Sequence, residues 1–189
     1  RSTSYGHHVI GESTGFDYTR TKNPTRSVLE ETIAKLEKGD RGFACSSGMA
    51  AMQLLMSLFT APDGWIVSSD VYGGTYRLLD FCYKNTHGVK PVYVNTASVQ
   101  AIEAAITPNT KAIFIETPSN PLMEECDVDA IAQVAKRHNL LLIVDNTFLT
   151  PMLFRPMEHG ADIVVHSGTK YLAGHNDVLV GLIIAKGKE

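Results

Sequence analysis

Leu140-Leu141-Leu142-Ile143-Val144-Asp145-Asn146-Thr147 is an aliphatic run that ends, with no polar interruption, on a carboxylate. Asp162-Ile163-Val164-Val165-His166-Ser167-Gly168-Thr169-Lys170 repeats the plan and ends on a lysine. Short β-branched runs without polar alternation read as strands covered on both faces, the habit of a parallel sheet. Similar runs stand at residues 42–45, 65–69, 91–95, 112–116 and 178–185. Between them lie helical patterns over 28–38, 48–59, 75–83, 99–106 and 128–138. In the first, Leu29, Ile33 and Leu36 share a face, with Pro24 near the start and Gly39 as a stop. The second is apolar on most sides and reads as a buried helix. Strand and helix in alternation predict an α/β fold with a mostly parallel seven-stranded sheet flanked by helices. The last pair breaks the pattern: the eleven residues from Ser167 to Asp177 are rich in Gly, Thr, Asn and Asp. A parallel crossover with its helix needs about that many residues at minimum, so the last strand is expected to be antiparallel. Residues 1–23 show no periodicity and read as an arm that packs on something else; residues 24–189 read as one domain.

Composition narrows the function. The 189 residues include 17 Lys and Arg against 20 Asp and Glu, for a formal net charge of −3. With 44% hydrophobic residues the chain can fill a core, and a mildly acidic chain without basic runs is a poor nucleic-acid or membrane-surface binder. No apolar run approaches the length of a bilayer span. Cys45, Cys82 and Cys126 stand far apart and form no C-x-x-C, which argues against a disulfide framework or a thiolate metal site and for a reducing cytoplasm. The histidines show no metal-ligand spacing, so no metal site is expected.

In an open α/β sheet, ligands bind beyond the carboxyl ends of the strands, and three chemistries collect there. Cys45-Ser46-Ser47-Gly48-Met49-Ala50-Ala51 is a small-residue turn opening a helix, whose free N–H groups and dipole suit a phosphate, or which serves simply as a cap. Asp145 could face a cation, a metal or a hydroxyl, or cap its own loop. Lys170 ends a buried strand, where its charge is costly to desolvate, or reaches solvent from an exposed loop. Neither G-x-G-x-x-G nor G-x-x-x-x-G-K-[ST] is present, so dinucleotide and nucleotide-binding readings lose their support. A phosphate cradle, an acid and a lysine at one sheet edge suit pyridoxal 5′-phosphate. The lysine would hold its aldehyde as a Schiff base, the acid would keep the ring nitrogen protonated, and the cradle would take the phosphate.

The run from Asp162 to Asn176 (Asp162-Ile163-Val164-Val165-His166-Ser167-Gly168-Thr169-Lys170-Tyr171-Leu172-Ala173-Gly174-His175-Asn176) resembles the pyridoxal-lysine signature of the Cys/Met-metabolism (transsulfuration) enzymes. Phe16-Asp17-Tyr18-Thr19-Arg20, Asn23-Pro24-Thr25-Arg26, Ser46-Ser47-Gly48-Met49-Ala50-Ala51, Tyr72-Gly73-Gly74-Thr75-Tyr76, Glu116-Thr117-Pro118-Ser119-Asn120-Pro121 and Val144-Asp145-Asn146-Thr147 are similar to the same family in the same order. Within it, residues 10–18 and Gly174-His175-Asn176-Asp177 look most like the bacterial cystathionine γ-synthase/O-acetylhomoserine thiolyase branch. The resemblance implies the large domain of the aminotransferase-like fold (fold type I), with the family's C-terminal small domain absent from this chain. It implies a catalytic set of Lys170, Tyr72 and Asp145. Lys170 would carry the cofactor and move protons, Asp145 would pair with the pyridinium nitrogen, and Tyr72 would stack on the ring. Ser47, Gly48 and Met49 would hold the phosphate, Asn120 the ring hydroxyl, and Thr147, Ser167 and Thr169 would add contacts. Tyr18 and Arg20 would reach the phosphate of a neighbouring subunit, making the full-length protein a homotetramer built as a dimer of dimers.

The implied activity is γ-replacement on an O-acylhomoserine with cysteine or sulfide, giving cystathionine or homocysteine in methionine biosynthesis. The substrates are small amino acids, with neither nucleic acid nor membrane as partner. A cystathionine β- or γ-lyase would use the same cofactor residues. A chain without the substrate half could also be an inactive large domain that serves only as a binding module.

Overall fold

The computed structural model describes residues 2–187; Arg1, Lys188 and Glu189, at the ends of the expected arm and domain, lie outside the described residues. Seven strands are formed: β1 (Arg41–Cys45), β2 (Gly64–Ser68), β3 (Lys90–Val94), β4 (Thr110–Glu116), β5 (Leu141–Asp145), β6 (Ile163–Ser167) and β7 (Gly181–Ala185). They make one sheet in the order β1-β7-β6-β5-β4-β2-β3. All run parallel except β7, which is antiparallel to both of its neighbours as expected, and which starts at Gly181 rather than 178 after a connection that forms no helix.

The runs expected to be covered on both faces divide into two kinds. β2 is buried at every position, whereas β1 and β3 are the sheet edges, with Phe43 and Val92 each about two-fifths exposed. Pro91 sits in β3, where an edge strand tolerates the missing donor.

Helices cover both faces. On one lie α1 (Pro24–Glu37), with α5 (Val99–Ala104) and α6 (Val128–Arg137) beside it; Ile33, Ile102, Ile131 and Val134 pack there on Ile113, Leu142, Val144 and Val164. On the other, α2 (Gly48–Met56) brings Ala51, Met52, Leu55 and Met56 onto Trp65, Phe114, Ile143 and Val165. That second layer also contains α3 (Gly73–Arg77), which widens into a π-helical stretch, Leu78–Tyr83, before the single turn α4 (Lys84–Thr86). Burying each such aliphatic side chain stabilises the fold by about 1.5–3 kcal/mol. α7 (Thr150–Leu153) and the 3₁₀ turn Pro156–His159 are too short to leave a periodic trace in the sequence.

Two helix readings need correction. α1 starts at Pro24, capped by Asn23 accepting from the Arg26 N–H at 3.0 Å, and stops at a left-handed Lys38. Its buried positions are Ile33, Ala34 and Glu37, while Leu29 and Leu36 are 40% and 44% exposed. The helix is turned because its inner face carries a polar group. Glu37 Oε1 sits 2.6 Å from His166 Nε2 and accepts from Asn146 Nδ2 at 2.8 Å, all three residues being fully buried. α2 ends at Met56 rather than near residue 59, and it is amphipathic rather than enclosed, since Leu54 faces solvent.

The expected arm folds back on itself. Tyr5 N–H donates to the Asp17 carbonyl and Thr19 N–H to that of Thr3, and Arg26 ties the arm to α1 through the Thr19 and Thr21 carbonyls.

Candidate active site

The carboxyl ends of β2, β4, β5 and β6 and the N-terminus of α2 enclose a cavity of about 550 Å³. Its architecture starts at Gly181. This first residue of β7 lies between Cys45 of β1 and Ser167 of β6, and a Cβ there would stand 1.9 Å from the Ser47 carbonyl oxygen. Gly48 in turn lies against Ser167, 2.9 Å from an added Cβ to the serine Cβ. Two glycines therefore let the start of α2 rest on the ends of β6 and β7. Ser47 is its cap, accepting from the Ala50 N–H at 3.0 Å, while the N–H groups of Gly48 and Met49 find no acceptor among the described residues. Those amides line the cavity at the positive end of a helix, an arrangement that attracts an anion.

Across from them, β5 delivers Asp145. Thr147 donates to Asp145 Oδ1 twice, from its N–H at 3.0 Å and its hydroxyl at 2.5 Å, and the same hydroxyl accepts from the Ser167 N–H at 2.9 Å. This threonine locks β5 to β6 and leaves Asp145 Oδ2 without a protein donor among the described residues. Burial pushes the Asp145 carboxyl above its ordinary range, opposed by the two Thr147 bonds and the charge of His166. Lys170 enters from the turn after β6, where its N–H donates to the Ser167 carbonyl. Thr169 pins that turn to Val180 in both directions, at 3.2 and 3.1 Å.

Of the twelve residues singled out in the sequence, the structure brings ten together: Ser47, Gly48, Met49, Tyr72, Asn120, Asp145, Thr147, Ser167, Thr169 and Lys170 all line this cavity. Tyr18 and Arg20 do not; they stand on the arm, stacked on each other with the guanidinium 5.2 Å from the ring centroid. Tyr72 packs on Gly74, where an added Cβ would meet its ring at 2.5 Å, and still faces the cavity.

Residues the sequence reading passed over also line it, notably Glu116, Phe148, Tyr171 and Asn176. Glu116 had the same signal as Asp145, a carboxylate ending a buried strand, and stands in register with it. Burial, then the charge of Asp145, pushes Glu116 up to about 8, against the N–H groups of Tyr72 and Asn120 that hold it down. Among the described residues no group of three or more His, Cys, Asp and Glu could hold a metal. Among the same residues no helix is long and apolar enough to cross a membrane.

A model of the Cys/Met metabolism PLP-dependent enzyme family matches residues 1–189. The chain belongs to that family. It is 82% identical over 188 residues to a protein of Haemophilus influenzae named cystathionine gamma-synthase, covering all of this chain and 51% of the relative. It is 60% identical over 185 residues to a Bacillus subtilis protein named cystathionine gamma-synthase/O-acetylhomoserine (thiol)-lyase, covering 98% and 49%. A crystal structure of cystathionine gamma-lyase from Lactobacillus plantarum, complexed with L-serine, superposes with a TM-score of 0.93 at 48% identity, over 98% of this chain and 48% of that one. The chain spans about half the length of the curated relatives it matches.

The family's cofactor is pyridoxal phosphate, and the residues present fit it. The unpaired amides of Gly48 and Met49 suit its phosphate. The free oxygen of Asp145 suits a protonated ring nitrogen, and Lys170 is the amine within the same cavity.

Proposed function

We propose that the full-length protein is a PLP-dependent transsulfuration enzyme that performs γ-replacement on an O-acylhomoserine, with cysteine or sulfide as the incoming thiol. The observation that carries this reading is the convergence of Lys170, Asp145 and the Ser47–Met49 amides on one cavity, in a chain so similar to a named cystathionine gamma-synthase.

When bound, pyridoxal phosphate supplies an electron sink for negative charge on the carbons beside the substrate amine. The part assigned to each residue is supported by its place in the cavity. Gly48 and Met49 bind the phosphate through backbone N–H groups. Asp145 Oδ2 holds the proton of the ring nitrogen, and Thr147 holds Asp145 in place from the other oxygen. Lys170 would hold the aldehyde through its amine and, where the substrate amine takes its place there, that freed amine would carry a proton between substrate carbons. Tyr72 covers the ring, Asn120 takes the ring hydroxyl, and Ser167 and Thr169 fix the turn that aims Lys170. The exposed Tyr18 and Arg20 are assigned to the phosphate site of a second subunit, within a homotetramer arranged as a dimer of dimers. The cytoplasm is the proposed compartment, since all three cysteines are free.

The test is an absorbance titration of the full-length apoprotein with pyridoxal phosphate, followed by borohydride reduction and peptide mapping. A visible band and an adduct on Lys170 are expected; neither one in a folded sample refutes the cofactor site. Product analysis then separates the activities. A new thioether without keto acid supports replacement, and ammonia with keto acid assigns the protein to the cystathionine lyases instead. Light scattering that reports a monomer refutes the subunit role of the arm.

A further inference from the structure

Glu116 ends β4 within the cavity wall, 6% exposed, and the proposed chemistry gives it no task. Its hydrogen bonding suggests one. Its Oε2 accepts from the Tyr72 backbone N–H at 2.8 Å, and Asn120 follows Glu116 by four residues in the loop that leaves β4. Tyr72 is the cap residue of α3, and Glu116 satisfies its own N–H, one of the donors a helix start leaves without a partner in the helix. That bond ties the loop after β2, which carries Tyr72, to the end of β4, from which the Asn120 loop departs. These are the loops that carry the phenol and the carboxamide assigned above to the cofactor. Asp70 binds the same two loops at the rim, accepting from the Ser119 hydroxyl and from the Leu122 N–H at 2.9 Å. The rim thus has its own tie, and Glu116 is the one placed in the cavity.

We propose that Glu116 is a positioning residue: its carboxyl clamps the Tyr72 and Asn120 loops together and thereby sets both side chains against the bound cofactor. This rests on the reading that pyridoxal phosphate occupies the cavity. An acceptor oxygen at the end of β4 is suited to the task because it reaches across to the N–H of a residue on the neighbouring loop. A buried N–H that loses its acceptor is costly enough for the loops to part.

The test uses the full-length holoprotein with Glu116→Ala and Glu116→Gln. Three quantities are read: hydrogen exchange of peptides containing Tyr72 and Asn120, visible circular dichroism per bound cofactor, and the cofactor Kd. In Glu116→Ala both peptides should exchange at least about tenfold faster, while peptides from β5 and β6 keep their wild-type rates. The dichroism per cofactor should fall at least about twofold, and Kd should rise about tenfold, the worth of one unsatisfied buried donor. Glu116→Gln keeps an acceptor of the same shape and should restore most of all three. Should the alanine variant not fold, Glu116→Met fills the volume without an acceptor and should show the same losses. Wild-type exchange, dichroism and Kd in the alanine or methionine variant would overturn the clamp. Lack of a Lys170 adduct in the wild type would instead remove the cofactor reading beneath it, so the two failures are told apart by the control.

Discussion

Replacing Gly181 by Ala tests whether the anion cradle depends on the contact between α2 and β7. The new Cβ would meet the Ser47 carbonyl oxygen at 1.9 Å, the Ser47 carbonyl carbon at 2.4 Å and Gly48 N at 2.8 Å. All three atoms are backbone, so no side chain can swing aside, and ordinary contact begins only near 3.4 Å. β7 is bonded on both sides, to β1 and to β6, and cannot retreat. The start of α2 must therefore move, by roughly 1.5 Å at the carbonyl. Overpacking of this kind costs about 1–3 kcal/mol, which for a domain of this size lowers Tm by roughly 4–8 °C at its midpoint. The same movement carries the Gly48 and Met49 amides out of place. A hydrogen bond to an anion is worth about 1.5–3 kcal/mol, so losing one should weaken pyridoxal phosphate binding at least about tenfold. The assay is differential scanning fluorimetry of the apoprotein together with an absorbance titration for Kd. Gly64→Ala in β2 is the control, because its Cβ would meet nothing closer than 3.5 Å. Unchanged Tm and Kd in Gly181→Ala, or an equal loss in Gly64→Ala, would refute the reasoning.

Thr147→Val keeps the shape and removes the hydroxyl that joins Asp145 to Ser167. It should cost about 1–3 kcal/mol in denaturant unfolding, and the acid limb of cofactor affinity should move to higher pH as Asp145 rises further. Glu116 is held near 8 in the fold against an ordinary 4.5, so the folded state keeps a proton that the unfolded state has lost. Apoprotein stability should then fall as pH rises through that window, and Glu116→Gln should flatten the fall, its Tm gaining on the wild type between about pH 5 and 8. Equal slopes in thermal melts of the two proteins would contradict this. Glu37→Ala strands the buried His166 and Asn146 and should cost about 3–5 kcal/mol. Glu37→Ala combined with His166→Ala should cost less than the sum of the single changes in equilibrium unfolding, because both remove the same contact.

Much of the site was legible because its residues announce themselves locally. Asp145 and Lys170 each end an aliphatic run, and Ser47-Gly48 opens a helix just past another, so the rule that ligands gather at strand ends brought these three features together, while Tyr72, Asn120, Thr147, Ser167 and Thr169 were legible only through the family resemblance. Glu116 obeyed the same rule and went unassigned, since nothing in Glu116-Thr117-Pro118 says that Tyr72 lies against it. The inner face of α1 was misread for a related reason. Helical periodicity treats a glutamate as a solvent residue, and Glu37 is buried only because His166 and Asn146 arrive from other strands to meet it.

The sequence by itself determined the seven strands, the helices that cover them and the reversed direction of the last strand, because each of these depends on residues near one another in the chain. Only the tertiary structure decided the strand order, which runs are edges, and that β7 slides between β1 and β6. That placement is set by pairings between segments more than a hundred residues apart, such as Cys45 with Gly181, and no local pattern records it. The cavity is made by the same pairings, since the glycine that admits the turn of α2 belongs to a strand at the far end of the chain.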